Sequence, residues 1–203
     1  MTSIALIDYG AGNLTSVKKA LAAVGAPVFV PESPAAIANA SGVIVPGVGH
    51  FGATRALDAS WIEAILQHVG DGRPLFGICL GMQWLFEGSE EAPECPGLGV
   101  LSGQCHRLQA PAGHTRIKVP HVGWNSLEQK QEGSIVEGVA AGTQVYFTHS
   151  YVAPITGDTI SSTEHGEIFA SVVQRGQIAG VQFHPEKSGD AGLQILRNFV
   201  ESA

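Results

Sequence analysis

The first half of the chain alternates apolar runs with helical stretches. Ile4-Ala5-Leu6-Ile7-Asp8-Tyr9 is almost continuously apolar, which is the pattern of a strand covered on both faces. Gly10-Ala11-Gly12-Asn13 breaks it. From Thr15 to Val24 the spacing becomes helical, with Leu14, Val17, Leu21 and Val24 on one face and Gly25 as the stop. Val28-Phe29-Val30 is a second strand. Pro34 to Ala40 reads as a short helix, with Ser33 at its N-cap and proline in its first turn. Gly42-Val43-Ile44-Val45-Pro46 is a third strand, a helix follows around Trp61 to Val69, and Pro74 to Ile78 is a fourth strand. Short β-α-β-α-β connections predict a parallel sheet with right-handed crossovers.

Beyond Glu87 the period changes. Leu98 to Leu108, Lys118 to Leu127 and Thr143 to Tyr151 read as strands with longer links. Ile168 to Arg175 and Ile178 to Phe183 read as a hairpin about Gly176. Ala191 to Val200 closes the chain as a helix, with Leu193, Leu196, Phe199 and Val200 on one face. The expected class is α/β, a parallel half followed by a mixed half. A chain of 203 residues fits one domain, here 1–203, with a full core of its own.

Composition narrows the partners. The net charge is −7 and no basic run exists, which argues against nucleic acid. No apolar stretch reaches the ~20 residues that span a bilayer. Met1-Thr2-Ser3-Ile4 leads straight into a strand with no secretory apolar region. Three cysteines at unrelated spacings suit a reducing cytosol better than a disulfide framework. They also form no zinc pattern, so neither metal nor cofactor is expected. Charged residues are 14% and glycines number 26; charge is low against the usual quarter, suggesting tight turns and surface hidden in a complex.

Three segments carry candidate chemistry. Gly77-Ile78-Cys79-Leu80-Gly81 places a cysteine between a strand and a helix that begins at Leu80, with a glycine two residues to either side. That is the spacing of a nucleophile elbow, and the positive end of a helix favours thiolate. An inert core cysteine is the alternative. His184-Pro185-Glu186 ends an extended run, so the imidazole and carboxylate point to one side. They form a base and its orienter, or else an ordinary loop. Pro46-Gly47-Val48-Gly49 follows a strand's C-terminal end, where open α/β sheets build their sites. Its amides, with that of Leu80, suit an oxyanion hole; a plain glycine turn is the alternative.

Taken together, these segments resemble class I (triad-type) glutamine amidotransferases, and within them the glutaminase subunits of imidazole glycerol phosphate synthases. The elbow and Gln182-Phe183-His184-Pro185-Glu186 carry the wider resemblance. Asp8-Tyr9-Gly10-Ala11-Gly12-Asn13-Leu14, Pro46-Gly47-Val48-Gly49, Val119-Pro120-His121-Val122-Gly123-Trp124-Asn125 and Lys187-Ser188 carry the narrower one, and Tyr146-Phe147-Thr148-His149-Ser150-Tyr151 belongs to the match as well. The resemblance implies a three-layer, flavodoxin-like fold with a central, mostly parallel sheet and a mixed part in the C-terminal half. It implies Cys79 as nucleophile, His184 as base and Glu186 as orienter. Gly47, Val48, Gly49 and Leu80 would hold the oxyanion, and Gln83, Glu91, Ser150 and Tyr151 would hold glutamine. It further implies a cytoplasmic heterodimer with a (β/α)8-barrel cyclase that receives the ammonia. Asn13, Trp124, Tyr146 and Lys187 are expected at or near that interface.

Bland alternatives stand beside several of these. Glu91, in Ser89-Glu90-Glu91, could be a solvated acid, and Trp124 could be core. His121 and His149 have no partner at catalytic spacing and read as structural or interface residues. Cys95 and Cys105 read as ordinary thiols. His50 and Val122 depart from the family pattern. An amidotransferase or γ-glutamyl hydrolase acting alone would leave the Asp8–Leu14 and Val119–Asn125 segments unexplained, and a binding module on a dead scaffold would not need the intact triad.

Overall fold

The computed structural model describes residues 3–110 and 117–203. The expectation for Met1 and Thr2 therefore lies outside the described residues. The first apolar run forms β1 (Ile4–Leu6), followed by α1 (Leu14–Ala23), β2 (Val28–Phe29), β3 (Gly42–Gly47), α2 (Ala59–Gly70) and β4 (Leu75–Cys79). Asn13 caps α1 by accepting the Ser16 N–H, and Asp58 caps α2 by accepting the Ser60 and Trp61 N–H groups. Pro34–Asn39 is a 3-10 turn rather than an α-helix, and Ser33 makes no side-chain cap bond. A second 3-10 turn, Phe51–Ala56, begins at His50, whose Nδ1 accepts the Gly52 N–H at 3.0 Å. That gives the unusual His50 a capping role.

After α3 (Leu80–Trp84) come β5 (Gly88–Ser89), β6 (Gln104–Arg107), β7 (His121–Ser126), β8 (Glu128–Gln129), β9 (Gln144–His149) and β10 (Tyr151–Val152). Then β11 (Thr159–His165), β12 (Glu167–Arg175), β13 (Ile178–Val181) and α4 (Gly189–Glu201) complete the chain. The main sheet runs β2-β1-β3-β4-β13-β12-β11-β8. Its first five strands are parallel and the rest antiparallel. The expected hairpin turns at Gly176, with Arg175 opposite Ile178.

Strand parity builds two cores. Ile4, Leu6, Ile44, Phe76 and Ile78 face α1 and α4, where Val17, Leu21, Ile195 and Phe199 complete one apolar layer. Ala5, Ile7, Val43, Val45 and Leu75 face the opposite way, onto Ile65 of α2 and Leu80 and Met82 of α3. The result is helix, sheet, helix.

One expected strand is also shortened. Leu98 to Leu108 is a strand only over β6. The Leu98 N–H donates to the Trp84 carbonyl, Gly99 to Phe86 and Leu101 to Leu85. These amides satisfy the carbonyls that end α3, so they are not available to a ladder. The helix that begins at Leu80 is correspondingly short and stops at Trp84.

Candidate active site

The elbow is built by close approach. Cys79 has φ 53°, the one positive value among the described non-glycine residues. Gly81 packs so tightly on the Val45 carbonyl that a Cβ there would collide with it. A Cβ on Gly77 would lie 2.6 Å from the Gly81 carbonyl oxygen and the Met82 amide. Both flanking glycines are therefore demanded by packing, and packing holds the strained cysteine in place.

His184 arrives at this thiol from the neighbouring strand, since β13 pairs in parallel with β4. Its Nδ1 is 2.9 Å from Glu186 Oε1, and both side chains are 2% exposed. Its backbone is tied down twice: its N–H donates to the Tyr146 carbonyl at 2.9 Å, and its carbonyl accepts the Ser188 hydroxyl at 2.7 Å. Burial by itself would lower the imidazole pKa. Cys79 and Glu186 outweigh that and raise it to about 9, which favours the cationic ring, while its Nε2 has no hydrogen-bond partner among the described residues. An inert core cysteine would have no such neighbour.

Gln182 was not legible as a site residue. Its Nε2 donates to Cys79 Sγ at 3.6 Å, while its Oε1 accepts from Gln83 Nε2 at 2.9 Å. The available signal was parity: in an extended run Gln182 and His184 share a side.

A cavity of about 220 Å³ opens over the thiol, lined among others by Gly49, Cys79, Leu80, Gln83, Glu91 and His149. Glu91 is not a free surface acid: its Oε2 accepts the Phe51 N–H at 2.7 Å, leaving Oε1 for the cavity. Gln83 lines the cavity, yet both donors of its amide are used, on Gln182 and on the Tyr151 carbonyl at 2.9 Å. Ser150 and Tyr151 also line it, with carbonyls engaged by the Leu108 N–H and by Gln83 and His149 respectively. A larger cleft, about 450 Å³ between Gln129 and Val139, holds no cysteine or histidine.

The glycine loop is placed beside the elbow, with Gly47 paired to Cys79 across β3 and β4. Its Val48 N–H does not face the cavity as a free donor: it donates to the Ala11 carbonyl at 3.2 Å.

His121 and His149 do have partners. Asn125 Nδ2 donates to His121 Nε2 (3.3 Å), His121 Nδ1 meets His149 Nε2 (3.1 Å), and His149 Nδ1 meets the Tyr151 carbonyl (3.0 Å). Neutral rings fit this chain, each donating through Nδ1 and accepting through Nε2. Burial, with neighbouring histidines adding to it, depresses His121 to about 4 and His149 to about 3. The chain runs from β7 to the cavity wall.

Trp124 is not core. It is 56% exposed, beside Val122 at 49%. Its ring meets Tyr146 edge-on at 6.0 Å, and Lys187 Nζ lies 5.7 Å from the Tyr146 ring centre. These three residues form one surface behind His184. Asn13 is exposed and spends its carbonyl oxygen on the α1 cap. Cys95 and Cys105 are buried, and burial pushes the Cys105 thiol pKa up. Among the described residues, no cluster of three His, Cys, Asp or Glu side chains could hold a metal ion, and no helix is long and apolar enough to cross a membrane.

The family model "Glutamine amidotransferase class-I" matches residues 5–203. The chain is 48% identical over 205 residues to "Imidazole glycerol phosphate synthase subunit HisH" of Moorella thermoacetica, covering 99% of this chain and 95% of the relative. The protein of that name from Bacillus cytotoxicus is 47% identical, covering 97% and 93%. Among solved structures, one described as glutamine amidotransferase aligns with TM-score 0.73 at 23% identity, covering 98% of this chain and 97% of that one. PurLQS from Thermotoga maritima aligns with TM-score 0.74 at 16% identity, covering 98% of each. At these identities the structural likeness speaks for the fold.

Proposed function

The chain belongs to the class-I glutamine amidotransferase family and, within it, to the HisH subunits of imidazole glycerol phosphate synthase, and on that premise we propose that it hydrolyses glutamine through Cys79, His184 and Glu186 and hands the ammonia to a cyclase subunit. The observation that carries this is the strained Cys79 on the strand next to a buried, Glu186-bonded His184 whose pKa is raised by both neighbours.

The Cys79 thiolate attacks the side-chain amide carbon of glutamine. Negative charge develops on the amide oxygen and is met by the Leu80 N–H and an N–H of the Gly47-Val48-Gly49 stretch. The amide nitrogen takes a proton from His184 Nε2 and leaves as ammonia. Water, deprotonated by the now neutral His184, then attacks the thioester carbonyl, and collapse of the adduct releases glutamate and restores the Cys79 thiolate beside protonated His184. Glu186 fixes the ring and stabilises its cationic form. Glu91 Oε1 is suited to the substrate ammonium, while Gln83 acts by holding the Tyr151 wall and Gln182. The cyclase, a (β/α)8 barrel, uses the ammonia to form imidazole glycerol phosphate and aminoimidazole carboxamide ribotide. Trp124, Tyr146, Lys187 and the loop around Asn13 make up its docking face. We place this heterodimer in the cytoplasm, with residues 1–203 as one domain; three unpaired, buried cysteines support a reducing compartment.

The Val48 bond to Ala11 supports a switched enzyme. One missing oxyanion donor costs ~10²–10³ in rate, and turning the Gly47–Val48 peptide over would supply it. Glutamate release is measured for the chain alone and with the cyclase and its nucleotide ligand. Slow hydrolysis alone and ~10²-fold or greater stimulation in the complex are expected. Brisk turnover by the isolated chain, indifferent to the partner, would overturn the reading.

A further inference from the structure

Tyr9 belongs neither to the Cys79, His184 and Glu186 group nor to the cavity lining. It lies three residues past the end of β1, which pairs with β3, and so arrives beside the C-terminal end of β3. Its hydroxyl oxygen is buried and has no hydrogen-bond partner among the described residues. Native structures rarely leave a buried hydroxyl unpaired, because its hydration is lost with nothing in return. The hydroxyl occupies the space a side chain on Gly47 would need: a Cβ built there would collide with it, and would also lie 2.7 Å from the Leu80 Cβ. Phenol, glycine loop and elbow therefore meet at one point. Burial and the nearby Cys79 both raise the phenol pKa, so the group stays protonated and can donate.

In a planar trans peptide the N–H and C=O point in opposite directions. The Val48 N–H is held by the Ala11 carbonyl, so the Gly47 carbonyl of the same peptide points away from Ala11. If the peptide turns over to aim that N–H at an oxyanion, the Gly47 carbonyl must turn too, and needs a donor. We propose that the Tyr9 hydroxyl is that donor, a positioning residue that pairs with the Gly47 carbonyl only in the turned-over form of the loop. In the resting form the N–H is paired and the phenol is not. In the active form the phenol is paired and the N–H serves the reaction. The unpaired phenol thus weakens the resting state and lowers the differential affinity a partner must supply. This inference rests on the reading of Cys79 as a glutaminase nucleophile and of the glycine loop as its oxyanion hole.

Tyr9→Phe removes only the hydroxyl. For the complex with the cyclase and its ligand, kcat and KM for glutamine are measured; for the free chain, the melting temperature. The expected result is a roughly tenfold lower kcat, the worth of one hydrogen bond made only in the active form, with KM within about twofold. The free chain should melt about 2–4 °C higher, because an unpaired buried hydroxyl has gone. A hydroxyl with a merely structural bond would move the melting temperature down instead. Wild-type kcat in the Tyr9→Phe complex, or a lower melting temperature, overturns the proposal. Absence of glutaminase activity in the wild-type complex overturns the underlying reading instead, so the two failures are separable.

Discussion

Cys79, His184 and Glu186 stood out as candidates through local spacing, which left the inert cysteine and the ordinary loop open until the segments were taken together with the resemblance. Two glycines bracket the cysteine, and a two-residue step in extended chain puts the imidazole and carboxylate on one side. Gln182 and Tyr9 were not legible, since each reaches across strands: Gln182 from just past β13 to a sulfur on β4, and Tyr9 from three residues past β1 to the end of β3. Long-range adjacency of that kind is set by sheet order, which no local pattern contains. The carboxylate's contribution can be measured. In Glu186→Gln, His184 keeps a polar neighbour but loses a charge. Its pKa is expected to fall below about 9, and kcat in the complex to drop ~10²–10⁴-fold. An NMR titration of the ring reads the first and steady-state kinetics the second. An unshifted pKa would mean that Glu186 does not support the cation.

At the scale of elements, the parallel half followed its apolar runs closely, since strands buried on two faces must be apolar throughout. β11 escaped notice. Its segment, Thr159-Ile160-Ser161-Ser162-Thr163-Glu164-His165, holds one strongly apolar side chain, yet Thr159 to Thr163 are buried. Their backbone is satisfied by β12 and β8 on either side, and the Thr163 hydroxyl by the Ser126 carbonyl. The β7–β9 pair is the reverse case, a short sheet with an aromatic left outside. Trp124 and Tyr146 are cross-strand partners, and Tyr146 also holds the His184 N–H. A partner pressing on Trp124 thus touches the strand that holds the His184 backbone. Trp124→Ala is expected to weaken cyclase binding by ~30-fold or more, as for a buried aromatic anchor. It should leave the free chain's melting temperature within about 2 °C, since the ring is mostly in water. Titration calorimetry tests the first statement, and unchanged affinity would remove Trp124 from the docking face.

The whole molecule carries opposing histidine groups. Burial lowers His68, His121 and His149. Below the ordinary histidine pKa the unfolded chain binds protons that the folded chain resists, so stability falls as pH drops from about 6.5 towards 4. His184 is raised, so its contribution is present below about 6.5 and lost as pH climbs through about 9. These groups together put maximal stability near pH 6.5, and urea midpoints across pH 4.5–9 should trace that dome. A Cys79→Ala variant should flatten the alkaline side, because Cys79 is one of the two groups raising His184. The same variant gives the most direct test of the central claim, that Cys79 releases ammonia from glutamine for use by a partner subunit. The Cys79→Ala complex is supplied with the cyclase's nucleotide substrate and either glutamine or ammonium salt, and imidazole glycerol phosphate is measured. The account predicts no product above background from glutamine and wild-type product formation from ammonia. Retained glutamine-dependent synthesis would contradict it.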